Sequence, residues 1–192
     1  MLLRLFRAVY RSKPCLIGAV LFEIAVSLVM ELCLHRPVQS HNAGTTLDLR
    51  FGYTADDVLY WLYKLGPGGR EEYLRMVQWD IFPYMPAYTI LLGSLLLMES
   101  ERVGGQYPSE LALAAPVVMV CDAVETCLNG YATKIFPQEM SKRIVLVSSV
   151  ANMLKWVGFA QCLLLLAYLF VSNRISPTKG KGKVSLKSKK ED

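Results

Sequence analysis

The chain has little charge and few of the residues that hold metals. Charged residues fill only 19% of its 192 positions, and it has two histidines and five cysteines. No cysteines form a C-x-x-C pair, and two histidines are too few for a zinc centre. No nucleotide-binding loop, catalytic triad or nucleic-acid module is present, and no cofactor is implied. A soluble domain of this length would carry more charge and would break its apolar runs more often.

What the chain has in quantity is hydrocarbon. Apolar residues make up 53% of it, and mean hydropathy is positive. Four stretches, at about 15–35, 79–98, 109–130 and 144–171, are long enough to cross a bilayer core, which takes about 20 helical residues. The expected fold is all-α: a polytopic membrane domain over 1–172, with four transmembrane helices in a bundle. Residues 173–192 are Lys-, Ser- and Gly-rich and read as a disordered cytosolic tail. The basic start followed by an apolar run resembles a signal peptide. The run is too long for one, contains Glu23 and Glu31, and is followed by no A-x-A-like site, so it reads as an uncleaved first span.

Of 21 Lys and Arg, twelve lie in segments on the side of the two termini, eight lie on the other side, and Lys155 is within a span. By the positive-inside rule both termini are expected in the cytosol and the 36–78 loop in the lumen. Lys189 and Lys190, fourth and third from the end, match the dilysine retrieval signal that coat proteins read. That match predicts the endoplasmic-reticulum membrane, and the basic tail is also suited to anionic headgroups.

Within the loop, Thr54-Ala55-Asp56-Asp57 reads as a helix start, with Tyr53 able to staple onto Val58. Val58, Trp61, Leu62 and Leu65 follow at helical spacing, and Gly66-Pro67 ends the run. This predicts a short lumenal amphipathic helix. A second helix is expected from near Arg70 into the second span, bent by Pro83 and Pro86. Backbone groups freed by the bend must face protein or water. The cysteines read as small buried apolar residues, with a Cys33–Cys127 bridge left open.

Ionisable groups in hydrocarbon cost roughly 2.5–3.5 kcal/mol each, so they are expected to face the interior with partners. Asp122, Glu125 and Asn129 share one helical face, and Ser148, Asn152 and Lys155 repeat that spacing. Glu23 and Glu31 lie on loosely one side of the first span, and Asp80, Tyr84 and Tyr88 form a row on the second. Counted from the span ends, all fall in the lumenal half. The other half, including 95–98, 111–115 and 163–166, is an apolar plug. Two readings fit. One is a structural network in which Lys155 pairs with Asp122 or Glu125 and fixes helix register. The other is a pocket opening toward the lumen, lined by Glu31, Asp80, Asp122 and Glu125, with Tyr84, Tyr88, Asn129, Asn152 and Lys155 as further ligand contacts. Carboxylates outnumber the single lysine, so an uncompensated one is either neutral or expects a cationic partner.

Met30-Glu31-Leu32 ends the first span, and Leu62-Tyr63 lies in the loop helix. Asp80-Ile81-Phe82-Pro83-Tyr84-Met85-Pro86 opens the second span, Leu146-Val147-Ser148-Ser149 lies early in the fourth, and a lysine-rich tail follows. In this layout the chain resembles the EXPERA group, which includes the sigma-2 receptor and emopamil-binding proteins. The resemblance implies that Glu31 and Asp80 hold a cationic or sterol-like ligand. Asp122, Glu125 and Lys155 fall outside that pattern, and no histidine matches the one a sterol-isomerase site needs. The expected function is binding of a lipid, sterol or cationic amphiphile. The alternatives are a lipid-modifying enzyme using Asp122, Glu125 and Lys155 as acid/base groups, or a subunit paired with another membrane protein or with its own copy.

Overall fold

A computed structural model describes residues 1–102, 107–138 and 140–175. Among these, the regular elements are helices: α1 (Leu2–Arg11), α2 (Lys13–Val29), α3 (Arg36–Ser40), α4 (Ala55–Trp79), α5 (Met85–Arg102), α6 (Ala114–Ile135) and α7 (Lys142–Ile175). A π-helical turn at Met30–His35 joins α2 to α3, and another at Asp80–Tyr84 joins α4 to α5. Four helical runs are long and apolar enough to cross a membrane: Lys13–Ser40, Ala55–Arg102, Ser109–Ile135 and Lys142–Ile175. The four expected spans are therefore present, each within a longer helix. At ~1.5 Å per residue α7 is ~50 Å long, so it projects beyond a ~30 Å hydrocarbon core. It carries the helix past Asn173, where the tail is expected to begin, to Ile175. The remainder of the tail, with Lys189 and Lys190, lies outside the described residues.

Local chemistry explains most helix ends. The Ser12 hydroxyl accepts from the Cys15 amide at 3.4 Å, and Pro14 stands in the first turn of α2, where its missing N–H costs nothing. Thr54 caps the helix as expected and forms a reciprocal capping box with Asp57: the Asp57 amide donates to Thr54 Oγ1 (3.2 Å) and the Thr54 amide to Asp57 Oδ2 (2.8 Å). Val58, Trp61, Leu62 and Leu65 are buried while Tyr60 and Tyr63 are exposed. The run breaks at Gly66, whose φ of 65° lies in the left-handed region. Helix resumes directly at Pro67, three residues before the expected Arg70, because proline is pre-set for a first helical position. Arg70 Nη1 then donates back to the Leu62 carbonyl at 2.9 Å, one of the acceptors exposed by the break. The second break falls at Phe82 (φ −153°, ψ 118°), before Pro83.

The basic lead-in to the first span forms α1, which sequence patterning did not predict. Phe6 is fully buried against Gly93 of α5, where a Cβ would lie 2.5 Å from its ring. Arg7 pairs with Glu101 at 2.5 Å, and the Tyr10 hydroxyl donates to the other Glu101 oxygen. Among the longer helices, α6 lies along α7, and Gly158 permits their approach: a Cβ there would sit 2.9 Å from Val118. α5 packs on α1, α2, α6 and α7, whereas α2 leans mainly on α1 and α5.

At the apolar end Leu96, Leu97, Ala112 and Ala115 are fully buried. On the outer surface there, Leu95, Met98, Leu163 and Leu166 line an open groove between α5 and α7, edged by Glu99 and Arg102. One expectation, that the cysteines are buried, needs correction. Of the cysteines, Cys162 alone is buried; Cys15, Cys33 and Cys127 are exposed on the outer surface. All five are free, so Cys33 and Cys127 are not bridged.

Candidate functional site

The polar faces of α6 and α7 meet. Asp122, Glu125, Asn129, Ser148, Asn152 and Lys155 are all buried. Lys155 Nζ lies 2.6 Å from Glu125 Oε2 and 3.2 Å from Asp122 Oδ1, so the lysine engages both carboxylates, where sequence reading offered one or the other. The Tyr88 hydroxyl donates to Asp122 Oδ2 at 2.9 Å from α5.

Residues 46–53, which hydropathy left as connecting loop, form a strap across this end of the helices. A 3-10 turn at Leu47–Leu49 brings the Asp48 carbonyl to Lys155 Nζ (3.3 Å) and Trp156 Nε1 (2.9 Å). Asn152 Nδ2 donates to the Arg50 carbonyl at 2.5 Å. The Tyr53 amide donates to Ser149 Oγ at 2.9 Å. Its ring dips between α6 and α7, where its oxygen lies 2.8 Å from Ser148 Oγ and accepts from Asn129 Nδ2 at 2.9 Å. Burial, reinforced by the Glu125 carboxylate, holds the Tyr53 phenol above its ordinary pKa, so it stays a neutral donor.

Beside this network lies a cavity of about 300 Å³. Both π-helical turns border it, one contributing Met30, Glu31 and His35 and the other Asp80 and Tyr84. A π turn carries an extra residue, widens the helix and re-aims its side chains, and such turns concentrate at functional sites. Of the nine residues expected at a ligand site, Glu31, Asp80, Tyr84, Tyr88, Asp122 and Lys155 line the cavity. Glu125, Asn129 and Asn152 do not; the strap and Lys155 seal them between α6 and α7. Asp48 and Leu49 of the strap border the cavity at the end where the pocket was expected to open.

Two ionisable lining residues escaped the sequence reading. Asp48 comes from the strap, and its Oδ1 is buried with no hydrogen-bond partner among the described residues. His35 stands 3.8 Å from both Glu31 and Asp48, so a histidine does border the cavity. Its spacing of four from Glu31 was a usable signal, masked by its place at the edge of a span. Asp80 is 7% exposed; one oxygen accepts from Thr126 Oγ1 at 2.8 Å, and no cation pairs with it among the described residues. Val118, Phe159, Trp156 and Leu49 supply apolar wall. No group of three or more His, Cys, Asp or Glu among the described residues is placed to hold a metal ion.

No protein-family model, curated protein or solved structure matches this chain.

Proposed function

We propose that the protein binds the polar end of a membrane amphiphile, a lipid, sterol-like molecule or cationic amine, in the cavity between the two π-helical turns. The observation that carries this reading is a surplus of carboxylates around one apolar-walled space. Glu31, Asp48, Asp80 and Asp122 border it; its lysine is already shared between Asp122 and Glu125, Glu31 has Arg36 at 3.4 Å and Asp48 has His35 at 3.8 Å, while Asp80 has no cation among the described residues. Apolar walls with a few convergent polar groups are the usual make-up of a small-molecule site. The resemblance to the EXPERA group points to the same two acids, Glu31 and Asp80. In this reading the four spans form a bundle with the strap and the Ala55–Leu65 helix on the lumenal side. Both termini are cytosolic, as the charge bias suggests, and Lys189-Lys190 returns the protein to the endoplasmic reticulum through coat proteins.

The test uses the purified full chain in nanodiscs with dodecyldimethylamine as probe. Asp80→Asn weakens binding about tenfold or more, since losing one partner of a buried charged pair costs at least ~1.4 kcal/mol. Equal affinity of variant and wild type refutes the assignment.

A second reading, acid–base chemistry on the same ligand, is favoured by His35. Asp122, Glu125 and Lys155, expected in that role, are bound to one another, whereas His35 lines the cavity beside two acids. Turnover of a bound lipid that His35→Gln abolishes would select it.

A further inference from the structure

Helix α1 carries three faces at one spacing. Counted at i, i+3 and i+7 from three successive residues, they are Leu2, Leu5 and Val9; Leu3, Phe6 and Tyr10; and Arg4, Arg7 and Arg11. The fold uses one of them. Phe6 is fully buried, and Leu3 and Tyr10 pack beside it in the apolar cluster that holds Leu96, Leu97 and Ala115. The aliphatic face is left outside, with Leu2 and Leu5 40% and 43% exposed. The basic face is left outside as well. Glu101 pairs with Arg7 and lies 3.9 Å from Arg11, whose side chain stays 67% exposed. Arg4 and Lys13 are exposed and have no ion-pair partner among the described residues.

Contacts with α5 fix the depth of this helix. Phe6 touches Gly93, inside the apolar run of the second span, whereas Arg7 and Tyr10 reach Glu101, past the end of that run. Gly93 and Glu101 are two turns apart, ~12 Å along the axis, so α1 crosses α5 where hydrocarbon gives way to charge. Ser12, extended at φ −101° and ψ 107°, separates α1 from α2, so α1 is not an outward continuation of the first span. A helix at that level, aliphatic on one face and basic on another, has the make-up of an interfacial helix. Its cations, Arg4, Arg7 and Arg11 with the adjoining Lys13, outnumber the acids around them, even when Glu110 of the neighbouring 3-10 turn is counted with Glu101. The surface therefore keeps a positive excess that anionic headgroups match.

We propose that α1 is a recognition surface for anionic phospholipid, with Arg4, Arg11 and Lys13 at the phosphate-bearing headgroups and Leu2, Leu5 and Val9 among the acyl chains. The charge of the partner follows from the unmatched cations. Its lipid nature follows from the aliphatic face beside them at the depth of the bilayer boundary; a soluble acidic partner would meet the arginines and leave Leu2 and Leu5 uncovered. Phe6 on Gly93 and Arg7 on Glu101 anchor the helix to α5, so the surface is held ready rather than assembled on binding. Glu101 and the cavity acid Asp80 stand at opposite ends of the second span, so this surface is independent of the binding function proposed above.

The test is a quenching measurement on the full chain in phosphatidylcholine nanodiscs. Cys33, Cys121 and Cys127 are changed to serine, and bimane is attached to Cys15, which is exposed in the first turn of α2. Doxyl-labelled phosphatidylserine and doxyl-labelled phosphatidylcholine are compared as quenchers at equal mole fraction. Phosphatidylserine is expected to be enriched at the bimane about fivefold or more, which is the effect of roughly one basic residue near a charged surface. High salt is expected to reduce that enrichment. Arg4→Gln combined with Arg11→Gln and Lys13→Gln leaves Phe6, Arg7 and Glu101 in place and is expected to bring the two lipids to within about twofold of each other. Arg4→Lys with Arg11→Lys keeps the charge and is expected to keep the enrichment; its loss there would show that the variants act by displacing α1, and would overturn the proposal. Equal quenching by the two lipids in wild type overturns it directly. So does an enrichment that survives the triple change and vanishes when Lys179, Lys181, Lys183 and Lys187 become glutamine, because the tail is then the anionic-lipid site. Quenching by neither lipid would mean that another chain covers α1, and this too would overturn the proposal.

Discussion

Replacing Lys155 with methionine tests the α6–α7 interface at its most demanding point. The lysine is 9% exposed, Glu125 is 0% exposed and Asp122 is 6% exposed, so all three are largely withdrawn from water. Lys155→Met keeps most of the side-chain volume and removes the cation from 2.6 Å of Glu125 and 3.2 Å of Asp122. Breaking a buried ion pair by deleting one partner costs about 3–5 kcal/mol, because the other charge stays buried without compensation. Here two carboxylates lose their cation, which places the loss in the upper part of that range. The two are not equivalent. Asp122 keeps the Tyr88 hydroxyl at 2.9 Å, whereas Glu125 keeps only uncharged neighbours such as the Asn129 amide at 3.0 Å. Adding Glu125→Gln to Lys155→Met is therefore expected to recover about 1–3 kcal/mol, and Asp122→Asn less, as removing an unsatisfied buried charge predicts. Reversible unfolding in mixed micelles measures all four proteins. A loss below about 1 kcal/mol for Lys155→Met, or no coupling to Glu125→Gln, would refute the claim that this charge cluster fixes the two helices.

Tyr53→Phe removes the hydroxyl that joins Asn129 and Ser148, and is expected to cost about 1–3 kcal/mol. It should also speed proteolysis within residues 46–53; an unchanged cleavage rate argues that the other strap contacts suffice. Gly93→Leu puts side-chain atoms where the Phe6 ring sits, so α1 should undock and its amides exchange with solvent about tenfold faster or more. Unchanged exchange would mean the α1–α5 contact is not close. Changing Lys189 and Lys190 together to serine should release a tagged protein to later secretory compartments. A tag that stays reticular would mean another feature retains it.

What sequence alone determines here is whatever repeats within one helix. Four runs of hydrocarbon, the capping pair Thr54 and Asp57, and the stop at Gly66-Pro67 are readable because each depends on neighbours a few residues away. The acid face of α6 and the Lys155 face of α7 are likewise fixed by spacing, and their opposite charges at matching depth predict that they meet. Tertiary structure decided how that face is divided. A strap with no periodic pattern inserts Tyr53 and removes Glu125, Asn129 and Asn152 from the cavity while bringing Asp48 to it. Neither choice is written in local spacing, because both depend on contacts about a hundred residues apart, such as Asp48 with Trp156. The two π turns were equally hidden: the prolines foretold a bend in the second span, but one extra residue per turn leaves no mark on hydropathy.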